Sequence, residues 1–564
     1  MKNSDILKYR RRFDIKLPDR QWPDKKIEAA PTWCSVDLRD GNQALAVPMN
    51  VEQKLKLFKT LVEIGFKEIE VGFPAASETE YNFIRRIIDE NLVPDDVSLQ
   101  VLTQSREHLI RKTFEALKGC KNAIVHLYNS TSALQRKVTF KMSREEIIEI
   151  ARTGATLVKR LADEAEKNGT HVRMEYSPES FSDTELDFAL EICEAVKDIW
   201  KPTPQNKLIV NLPETVQYNQ PNVYADQIEW ICRNISDRDC VEISLHTHND
   251  RGTGVACAEL SMLAGADRVE GTLFGNGERT GNLDIVTVAL NMFTQGVDPM
   301  LDFSHIDHVR EIYERCTKMH VPERWPYAGK LAFTAFSGSH QDAINKGHEY
   351  MRESKTPYWE IPYLPIDPAD VGREYEPIIR INSQSGKGGA AFIMDNNYGY
   401  HMPKAMHPEF GAVVQAECDR TGRELTANEV YELFHREFLN ISEPYALSRA
   451  KFYEEAIAGS AANVTHFSGV LSVRGQFVQL ESRGNGPIDA FFNALGQAGI
   501  EGYSFISYSE HAISMGSDSQ AVAYIELRVP GGRRIFGVGT EHNINFASVK
   551  GILSAINRFE SGMA

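Results

Sequence analysis

The first 300 residues alternate between two kinds of hydrophobic pattern. Short runs of β-branched and other apolar residues, typical of buried strands, are each followed by a segment whose apolar positions recur with helical spacing. The runs predict eight strands, at Thr32–Leu38, Lys67–Phe73, Val97–Thr103, Asn122–Tyr128, His171–Tyr176, Lys207–Leu212, Val241–His246 and Arg268–Phe274. The segments after them predict helices at Val51–Ile64, Glu78–Asp89, Arg106–Leu117, Ser143–Lys167, Asp183–Val196, Val223–Ile235, Gly254–Leu263 and Leu283–Phe293.

Residues 31–300 therefore predict an α/β fold of the closed (β/α)8 type, a TIM barrel, because eight strand–helix units over roughly 270 residues match its usual size. An open, doubly wound sheet is the alternative, and such sheets carry a glycine-rich turn after the first strand. Here that turn is Arg39-Asp40-Gly41-Asn42-Gln43, which is charged, so the barrel is favoured. Residues 1–30 form an N-terminal arm before it.

The pattern changes beyond residue 300. Residues 301–460 predict a helical linker domain of two subdomains, with an irregular, Pro- and Tyr-rich connector at Pro357–Pro377. Its predicted helices are His305–His320, Ala427–Phe438 and Tyr445–Ala458. Residues 461–564 predict an α+β domain in which strands, a short polar turn and an apolar helix occur twice. The predicted elements are the strands Val464–Val473, Gly475–Glu481, Tyr503–Ser509, Ala521–Val529 and Arg533–Thr540 and the helices Pro487–Ala498 and Ile544–Phe559. A domain appended to a complete barrel indicates regulation, with dimerisation alone as the alternative.

Composition and charge narrow the function class. The chain of 564 residues has a formal net charge of −16, which argues against a general binder of nucleic acid or anionic membranes. No apolar run is long enough to span a bilayer, and the charged N-terminus excludes a secretory signal. The eight cysteines form no CxxC motif, which favours reduced thiols. We therefore expect a cytoplasmic protein without nucleic-acid or membrane partners.

The sharpest chemical signal is a pair of histidines at the end of the seventh predicted strand. His246 and His248 are two residues apart, so both imidazoles point to the same side of the strand, into the barrel mouth. Arg39 and Asp40 are expected at the end of strand one, which neighbours strand eight in a closed barrel, so Asp40 can complete the set, and Asn282 can add an amide oxygen. Two imidazoles with a carboxylate suit a divalent cation, whereas the pair alone is also compatible with two solvated loop histidines. Mixed nitrogen and oxygen ligation leaves Mg²⁺, Mn²⁺ and Zn²⁺ open.

Other strand ends supply groups for catalysis and binding. Arg39, beside the proposed metal carboxylate, can neutralise an enolate or carbonyl oxygen, and Glu179 is a candidate to hold either Arg39 or the substrate. The glycine-rich stretch Gly275–Asn282 follows strand eight, where barrels often bind phosphate. Its exposed backbone N–H groups suit the pyrophosphate of coenzyme A.

These motifs resemble the 2-isopropylmalate synthases, in their longer bacterial branch, over nearly the whole chain. The matching stretches are Leu38–Gln43, Glu70–Pro74, His246–Asp250, Gly275–Asn282, Phe336–Gln341, Asn382–Gly389 and Arg483–Pro487. The resemblance implies a condensation of acetyl-CoA with 2-oxoisovalerate, followed by thioester hydrolysis, at the first committed step of leucine biosynthesis.

The resemblance also implies a role for particular residues in an expected homodimer. The expected metal ligands, with Mg²⁺ as the first choice, are Asp40, His246, His248 and Asn282. The expected catalytic residues are Arg39, Glu179, His340 and Tyr375, the last two reaching a partner subunit's barrel from the linker domain. The expected substrate pocket is Leu102, His126, Tyr128, Ser177, Asn211 and Thr215, and acetyl-CoA is expected to contact Gly275, Asn276, Gly277 and Glu278.

Leucine is the implied feedback inhibitor, bound by the C-terminal domain. The expected regulatory residues are Gly484, Asn485, Gly486, Ile488, Asp489 and Ala512. Asp489 departs from the small apolar residue of related enzymes, so its carboxylate leaves the identity of the effector open. Two other enzymatic readings stay open as well: a citramalate or homocitrate synthase, which differs in the keto-acid pocket, and a lyase of the same barrel type.

Overall fold

The computed structural model describes residues 15–375, 389–423, 425–455, 464–513 and 519–563. The chain divides into two compact units, which are described separately. The first comprises Met1–Phe333 and Ile366–Glu374, and the second comprises Thr334–Pro365 and Tyr375–Ala564.

The first unit contains the predicted barrel. Eight parallel strands close in sequence order, and β8 pairs with β1 through Trp33 and Val269. The strands are β1 Thr32–Ser35, β2 Glu68–Gly72, β3 Ser98–Gln104, β4 Asn122–Ser130, β5 His171–Glu179, β6 Leu208–Glu214, β7 Val241–Thr247 and β8 Arg268–Gly271. The helices are α1 Val51–Ile64, α2 Glu78–Asp89, α3 Glu107–Ala116, α4 Ala133–Gln135, α5 Arg144–Lys167, α6 Leu186–Trp200, α7 Pro221–Asn234, α8 Gly254–Leu263, α9 Ile285–Phe293 and α10 Ile306–Thr317. The predicted fold class is confirmed.

Local sequence signals set the helix ends. Helix α1 begins after a capping box, in which Asn50 accepts from the backbone of Gln53 and the Gln53 side chain accepts from the backbone of Asn50. It ends at Gly65, whose φ of 113° is readily adopted only by glycine. These signals are short-range, which is why this helix could be predicted to the residue.

Strand β1 is shorter than predicted. After Ser35 the chain turns into one wide helical turn, Asp37–Gly41, in which the Val36 carbonyl accepts from the N–H groups of Asp40 and Gly41 at 2.9 and 3.1 Å. Both carboxyl oxygens of Asp37 accept from the backbone N–H of Leu273 at 3.1 Å, which ties the turn to the end of β8. Arg39 and Asp40 therefore lie on a turn fixed over the barrel mouth and not on the strand itself.

The second unit begins with helices and ends with two small sheets. Its helices before the sheets are α11 Gly338–Ser354, α12 Gly389–Tyr398, α13 His407–Thr421 and α14 Ala427–Phe438. One antiparallel sheet has the order β11-β10-β9, and the other has the order β12-β13-β14. Their elements are β9 Tyr445–Glu455, β10 Val464–Val473, β11 Gln476–Gly484, α15 Pro487–Gln497, β12 Ser504–Ala512, β13 Ala521–Arg528, β14 Arg534–Glu541 and α16 Ile544–Glu560.

The predicted helix at Tyr445–Ala458 is wrong, because Tyr445–Glu455 is a strand. Its core-facing residues are Tyr445, Leu447, Ala450 and Phe452, whose spacing of two is interrupted once. The interruption is a bulge, since Leu471 pairs with Leu447 while the neighbouring Val470 pairs with Arg449. The bulge hides the period of two that identifies a strand.

With β9 included, the predicted internal repeat is complete: three antiparallel strands and a helix, β9-β10-β11-α15, and then β12-β13-β14-α16. The first sheet therefore includes residues on both sides of the expected domain boundary at 460/461. Among the residues described in either unit, no helix has the length and apolarity needed to cross a membrane.

Candidate active site at the barrel mouth

A pocket of about 240 Å³ opens at the carboxyl ends of the barrel strands. It is lined by Arg39, Asp40, Gln43, Leu102, His126, Tyr128, Ser177, Glu179, Asn211, Pro213, Thr215, His246, His248, Glu278 and Arg279. The structure thus brings together every predicted substrate-pocket residue and most of the predicted metal and catalytic residues of the barrel. Gln43, Pro213 and Arg279 had not been predicted to line it.

Three predicted metal ligands converge in this pocket. Ligand atoms of Asp40, His246 and His248 all lie within 4.8 Å of one another, and all three side chains are buried. Oδ2 of Asp40 is 3.2 Å from Nε2 of His246 and 3.7 Å from Nε2 of His248. Asn282 pairs with His248 across an isolated β-bridge. Its Oδ1 is buried and has no hydrogen-bond partner among the described residues, so it suits an oxygen ligand.

The charges of these ligands follow from their neighbours. Burial acts to raise the pKa of Asp40, but Arg39 and His246 together hold it well below its ordinary range. Burial acts to lower the pKa of His246, and the hydrogen bonds to Asp40 and Glu270 overcome this and raise it to about 9. Burial and the charge of His246 lower the pKa of His248 to about 4. A carboxylate and a neutral imidazole are thus ready to bind a cation at neutral pH.

The polar side chains of the mouth form a closed ring of hydrogen bonds and ion pairs. In order, the ring runs through Asp40, Arg39, Glu70, His126, Ser177, Asn211, Glu270 and His246, and successive polar atoms are 2.6–3.2 Å apart. The members come from β2, β4, β5, β6, β7 and β8 and from the turn after β1. The ring therefore fixes the metal ligands and the substrate pocket relative to one another.

Arg39 is held differently from the prediction. Its Nε donates to Glu70 at 2.6 Å and its Nη1 donates to Asp40 at 2.7 Å. Glu179 does not hold it: the Glu179 carboxyl accepts from Ser180 Oγ at 3.0 Å and from Ser130 Oγ. Burial raises the pKa of Glu179, which lines the pocket and remains a candidate to contact substrate.

The glycines after β8 serve the fold of their own loop. A Cβ at Gly281, where φ is +98°, would lie 1.9 Å from the carbonyl oxygen of Gly275, and one at Gly277 would lie 2.3 Å from Nδ2 of Asn282. Asn276 is buried and donates to the carbonyl of Gly41 at 3.0 Å. These contacts within the loop are enough to account for its glycines, and no bound ligand is needed to explain them. The contact of this loop with coenzyme A stays a prediction.

Three family models match successive parts of the chain: HMGL-like over residues 30–312, alpha-isopropylmalate synthase post-catalytic domain-like over 330–395, and LeuA allosteric (dimerisation) domain over 424–560. Curated relatives named 2-isopropylmalate synthase match at full length. The one from Clostridium acetobutylicum is 57% identical, covering 98% of this chain and 99% of its own. Those from Pseudomonas putida (strain GB-1) and Corynebacterium efficiens are each 52% identical, covering 98% and 97% of this chain and 97% and 95% of their own.

The chain belongs to the 2-isopropylmalate synthase family. Its predicted function, a condensing acyltransferase of leucine biosynthesis, is thereby confirmed, and the rival enzymatic readings are not favoured.

In this synthase, sequence reasoning missed the charged residues inside the barrel. Glu70 and Glu270 are ring members, and Arg268 lies beside Glu270, with 2.8 Å between Nη1 and Oε1. A signal was present, because Glu68 and Glu70 in β2 alternate with apolar residues, as do Arg268 and Glu270 in β8. Charges at alternate positions of strands buried on both faces indicate an internal polar network.

The remaining predicted residues of the synthase lie in its second unit. The ring of His340 stacks on Tyr363 with 4.0 Å between centroids. The hydroxyl of Tyr375 is buried and has no hydrogen-bond partner within the described ranges. The predicted motif at Asn382–Gly388 lies outside the described residues.

The predicted regulatory turn lies at the start of α15. Gly486 is the N-cap, and the carboxylate of Asp489 accepts from the backbone N–H of Asn485 at 2.9 Å. A pocket of about 590 Å³ adjoins it. This pocket is lined by Asn485, Gly486, Pro487, Ile488, Asp489, Phe492, Tyr503, Ser504, Phe505 and Tyr508. Gly484 and Ala512 end β11 and β12 and do not line it.

Proposed function

We propose that the barrel mouth condenses acetyl-CoA with 2-oxoisovalerate in the cytoplasm and then hydrolyses the thioester, giving 2-isopropylmalate and coenzyme A. The observation that carries the proposal is the convergence of Arg39 with Asp40, His246 and His248 in one buried pocket. The chemistry needs both features, because the attacked keto oxygen gains negative charge while the keto acid itself is an anion.

The donor set fits a divalent cation. Asp40, His246, His248 and Asn282 would hold it, with Mg²⁺ as our first expectation and Mn²⁺ and Zn²⁺ as alternatives. The fit rests on the close spacing of the first three residues and on the unpartnered Oδ1 of Asn282. When bound, a divalent ion supplies polarisation of the keto group and a fixed point for the substrate carboxylate.

The side chains of the pocket orient the keto acid and receive the developing charge. Leu102 and Pro213 offer apolar surface to the isopropyl group, and Ser177 and Asn211 line the same pocket with polar side chains. Arg39 lines the pocket and uses Nε and Nη1 for Glu70 and Asp40, so Nη2 is the nitrogen that can donate to the oxygen that becomes negative. His126, Tyr128 and Thr215 complete the pocket wall.

Carbon–carbon bond formation requires removal of a proton from the acetyl methyl, which is a very weak acid. We assign this step to His340 or Tyr375, acting directly or through a water molecule. The resulting carbanion bonds to the keto carbon, the keto oxygen takes up a proton, and water then cleaves the thioester to release the thiol. Glu278 and the loop Gly275–Gly277 would contact acetyl-CoA.

We propose that the enzyme is a homodimer in which His340 and Tyr375 of one protomer act in the barrel of the other. Two features support this. Neither residue belongs to the barrel unit, and the buried hydroxyl of Tyr375 lacks a partner within the described part of its own chain.

We propose that leucine is the inhibitor and binds beside the turn at Asn485–Asp489. Asp489 already accepts from the N–H of Asn485, which competes with an amino acid's carboxylate for that donor. Asp489→Ala should therefore strengthen inhibition by leucine. Titrations of leucine, isoleucine and valine against thiol release, with and without the substitution, test this. Absence of inhibition and of calorimetric binding for the unsubstituted enzyme would contradict a regulatory role.

The substrate assignment is tested by thiol release from acetyl-CoA with a panel of 2-oxo acids, using the His246→Ala/His248→Ala variant as the inactive control. We expect the highest kcat/KM for 2-oxoisovalerate. A preference for pyruvate or 2-oxoglutarate would instead identify a citramalate or homocitrate synthase. The kcat/KM for 2-oxoisovalerate is expected to exceed that for a 2-oxo acid differing by one methylene by about 10–200-fold.

A further inference from the structure

Glu270 lies inside the barrel below the pocket, on β8, and is 1% exposed. Its Oε2 accepts from Nδ1 of His246 at 2.8 Å and from Nδ2 of Asn211 at 3.2 Å. Its Oε1 accepts from Nη1 of Arg268 at 2.8 Å and from Nε2 of Gln100 at 3.0 Å. One carboxylate thus serves four donors from four different strands, while Glu270 itself does not line the pocket.

The carboxylate can only accept in these contacts. Three of its four contacts come from a guanidinium and two amide nitrogens, which can only donate, so both carboxylate oxygens of Glu270 act as acceptors. The contact at 2.8 Å with Nδ1 of His246 is therefore one in which Nδ1 donates its proton to the carboxylate. The other ring nitrogen, Nε2, faces Asp40 and is the atom directed at the metal cluster.

We infer that Glu270 is a positioning residue that sets the orientation and tautomer of His246 for metal binding and links the metal to the keto-acid pocket through Asn211. The inference rests on the proposed metal site. Carboxylates that bond the distal nitrogen of a ligating histidine fix its ring and raise its basicity, and their loss typically weakens metal binding about 10–100-fold. Through Asn211, which also donates to Ser177 at 3.0 Å, the same carboxylate orients a wall of the pocket.

A matched control exists at the other side of Arg268. Glu68 is also buried, and it binds Nε of Arg268 at 2.6 Å and Nη1 of Arg173 at 2.6 Å. Within the described residues it bonds neither His246 nor Asn211. Glu68→Gln therefore removes one of the two carboxylates paired with Arg268, as Glu270→Gln does, but it leaves the hydrogen bond to His246 in place.

The test measures Mn²⁺ binding to metal-free enzyme by electron paramagnetic resonance, for the full-length protein and its Glu270→Gln, Glu68→Gln and His246→Ala variants. A glutamine offers one acceptor oxygen to four donors, so we expect the Kd of Glu270→Gln to rise about 10–100-fold. The Kd of Glu68→Gln should stay close to that of the unsubstituted enzyme. At saturating Mn²⁺, Glu270→Gln should also show a raised KM for 2-oxoisovalerate.

Each outcome bears on one of the two assignments. Normal Mn²⁺ binding by Glu270→Gln, or equal weakening in Glu68→Gln, would overturn the role of Glu270 while leaving the metal site intact. No binding by the unsubstituted enzyme, or normal binding by His246→Ala, would overturn the metal site and this inference with it. If Glu270→Gln does not fold, Glu270→Asp takes its place, because the shorter side chain cannot reach His246 and Arg268 together. Unchanged Mn²⁺ affinity in that variant would equally refute the inference.

Discussion

Replacing Arg39 with lysine should leave substrate binding nearly intact and lower kcat by about 10²–10³-fold, the usual effect of losing one oxyanion donor. The guanidinium spans two carboxylates, with 2.6 Å from Nε to Glu70 and 2.7 Å from Nη1 to Asp40, and keeps Nη2 for the pocket. A lysine has a single nitrogen at the end of a flexible stem. The lysine ammonium can stay between the carboxylates of Glu70 and Asp40 or approach the substrate oxygen, but it cannot do both.

The size of the effect follows from this choice. If the ammonium stays between Glu70 and Asp40, the transition state loses its donor at a cost of about 2.7–4 kcal/mol. If it moves toward the substrate instead, a buried carboxylate loses its partner, which costs about 1–3 kcal/mol or more and lowers stability. Both routes reduce kcat/KM, and only the second lowers the thermal midpoint.

The assay is the initial rate of thiol release, with KM measured for both substrates and Mn²⁺ affinity measured in parallel. Arg173→Lys is the matched control, because Arg173 also joins two carboxylates, Glu68 and Glu242, within the barrel but outside the pocket. That variant should keep its kcat. A kcat for Arg39→Lys within a few-fold of the unsubstituted value, or an equal loss in Arg173→Lys, would refute the role assigned to Arg39.

Three further predictions concern the metal, the dimer and the response to pH. His246→Ala/His248→Ala should lose bound metal and activity together, and full metal content by mass spectrometry would contradict the site. A His340→Ala chain mixed with an Arg39→Ala chain should recover activity, because the heterodimer holds one intact site; proven subunit exchange without recovery would show that each chain builds its own site. Burial raises the pKa of Asp37 to about 7. Because the folded state then holds this proton more tightly than the unfolded state, stability relative to Asp37→Asn should fall by up to about 4 kcal/mol as pH rises from about 4 to 7. Calorimetric unfolding midpoints of the unsubstituted protein and of Asp37→Asn, measured at pH 5 and pH 8, test the direction of this change. Equal shifts of the two midpoints between these pH values would contradict it.

The sequence carried enough information to predict the barrel and most of its pocket. Strands buried on both faces and helices with local caps are encoded over a few residues, so α1 and α14 were predicted to the residue. Strand β9 was not, because its bulge is defined only by pairing with β10. The partner of Arg39 was also missed, since Glu70 lies on another strand and its side-chain direction depends on closure of the barrel.

The ring around the mouth explains why the site calls for a divalent ion. The ring contains three carboxylates, Asp40, Glu70 and Glu270, and a single guanidinium, that of Arg39. The two carboxylates in excess lie in a buried setting, where uncompensated charge is costly. Arg268 does not cancel them, because it also binds Glu68 at 2.6 Å. His246, whose pKa is raised to about 9, offsets one of them with a proton that a metal on its Nε2 would displace. A divalent ion would bring one positive charge more than it displaces, whereas a monovalent ion would only replace the charge of that proton. The electrostatics of the ring therefore favour a divalent ion, and removal of that ion should destabilise the barrel mouth as well as abolish catalysis.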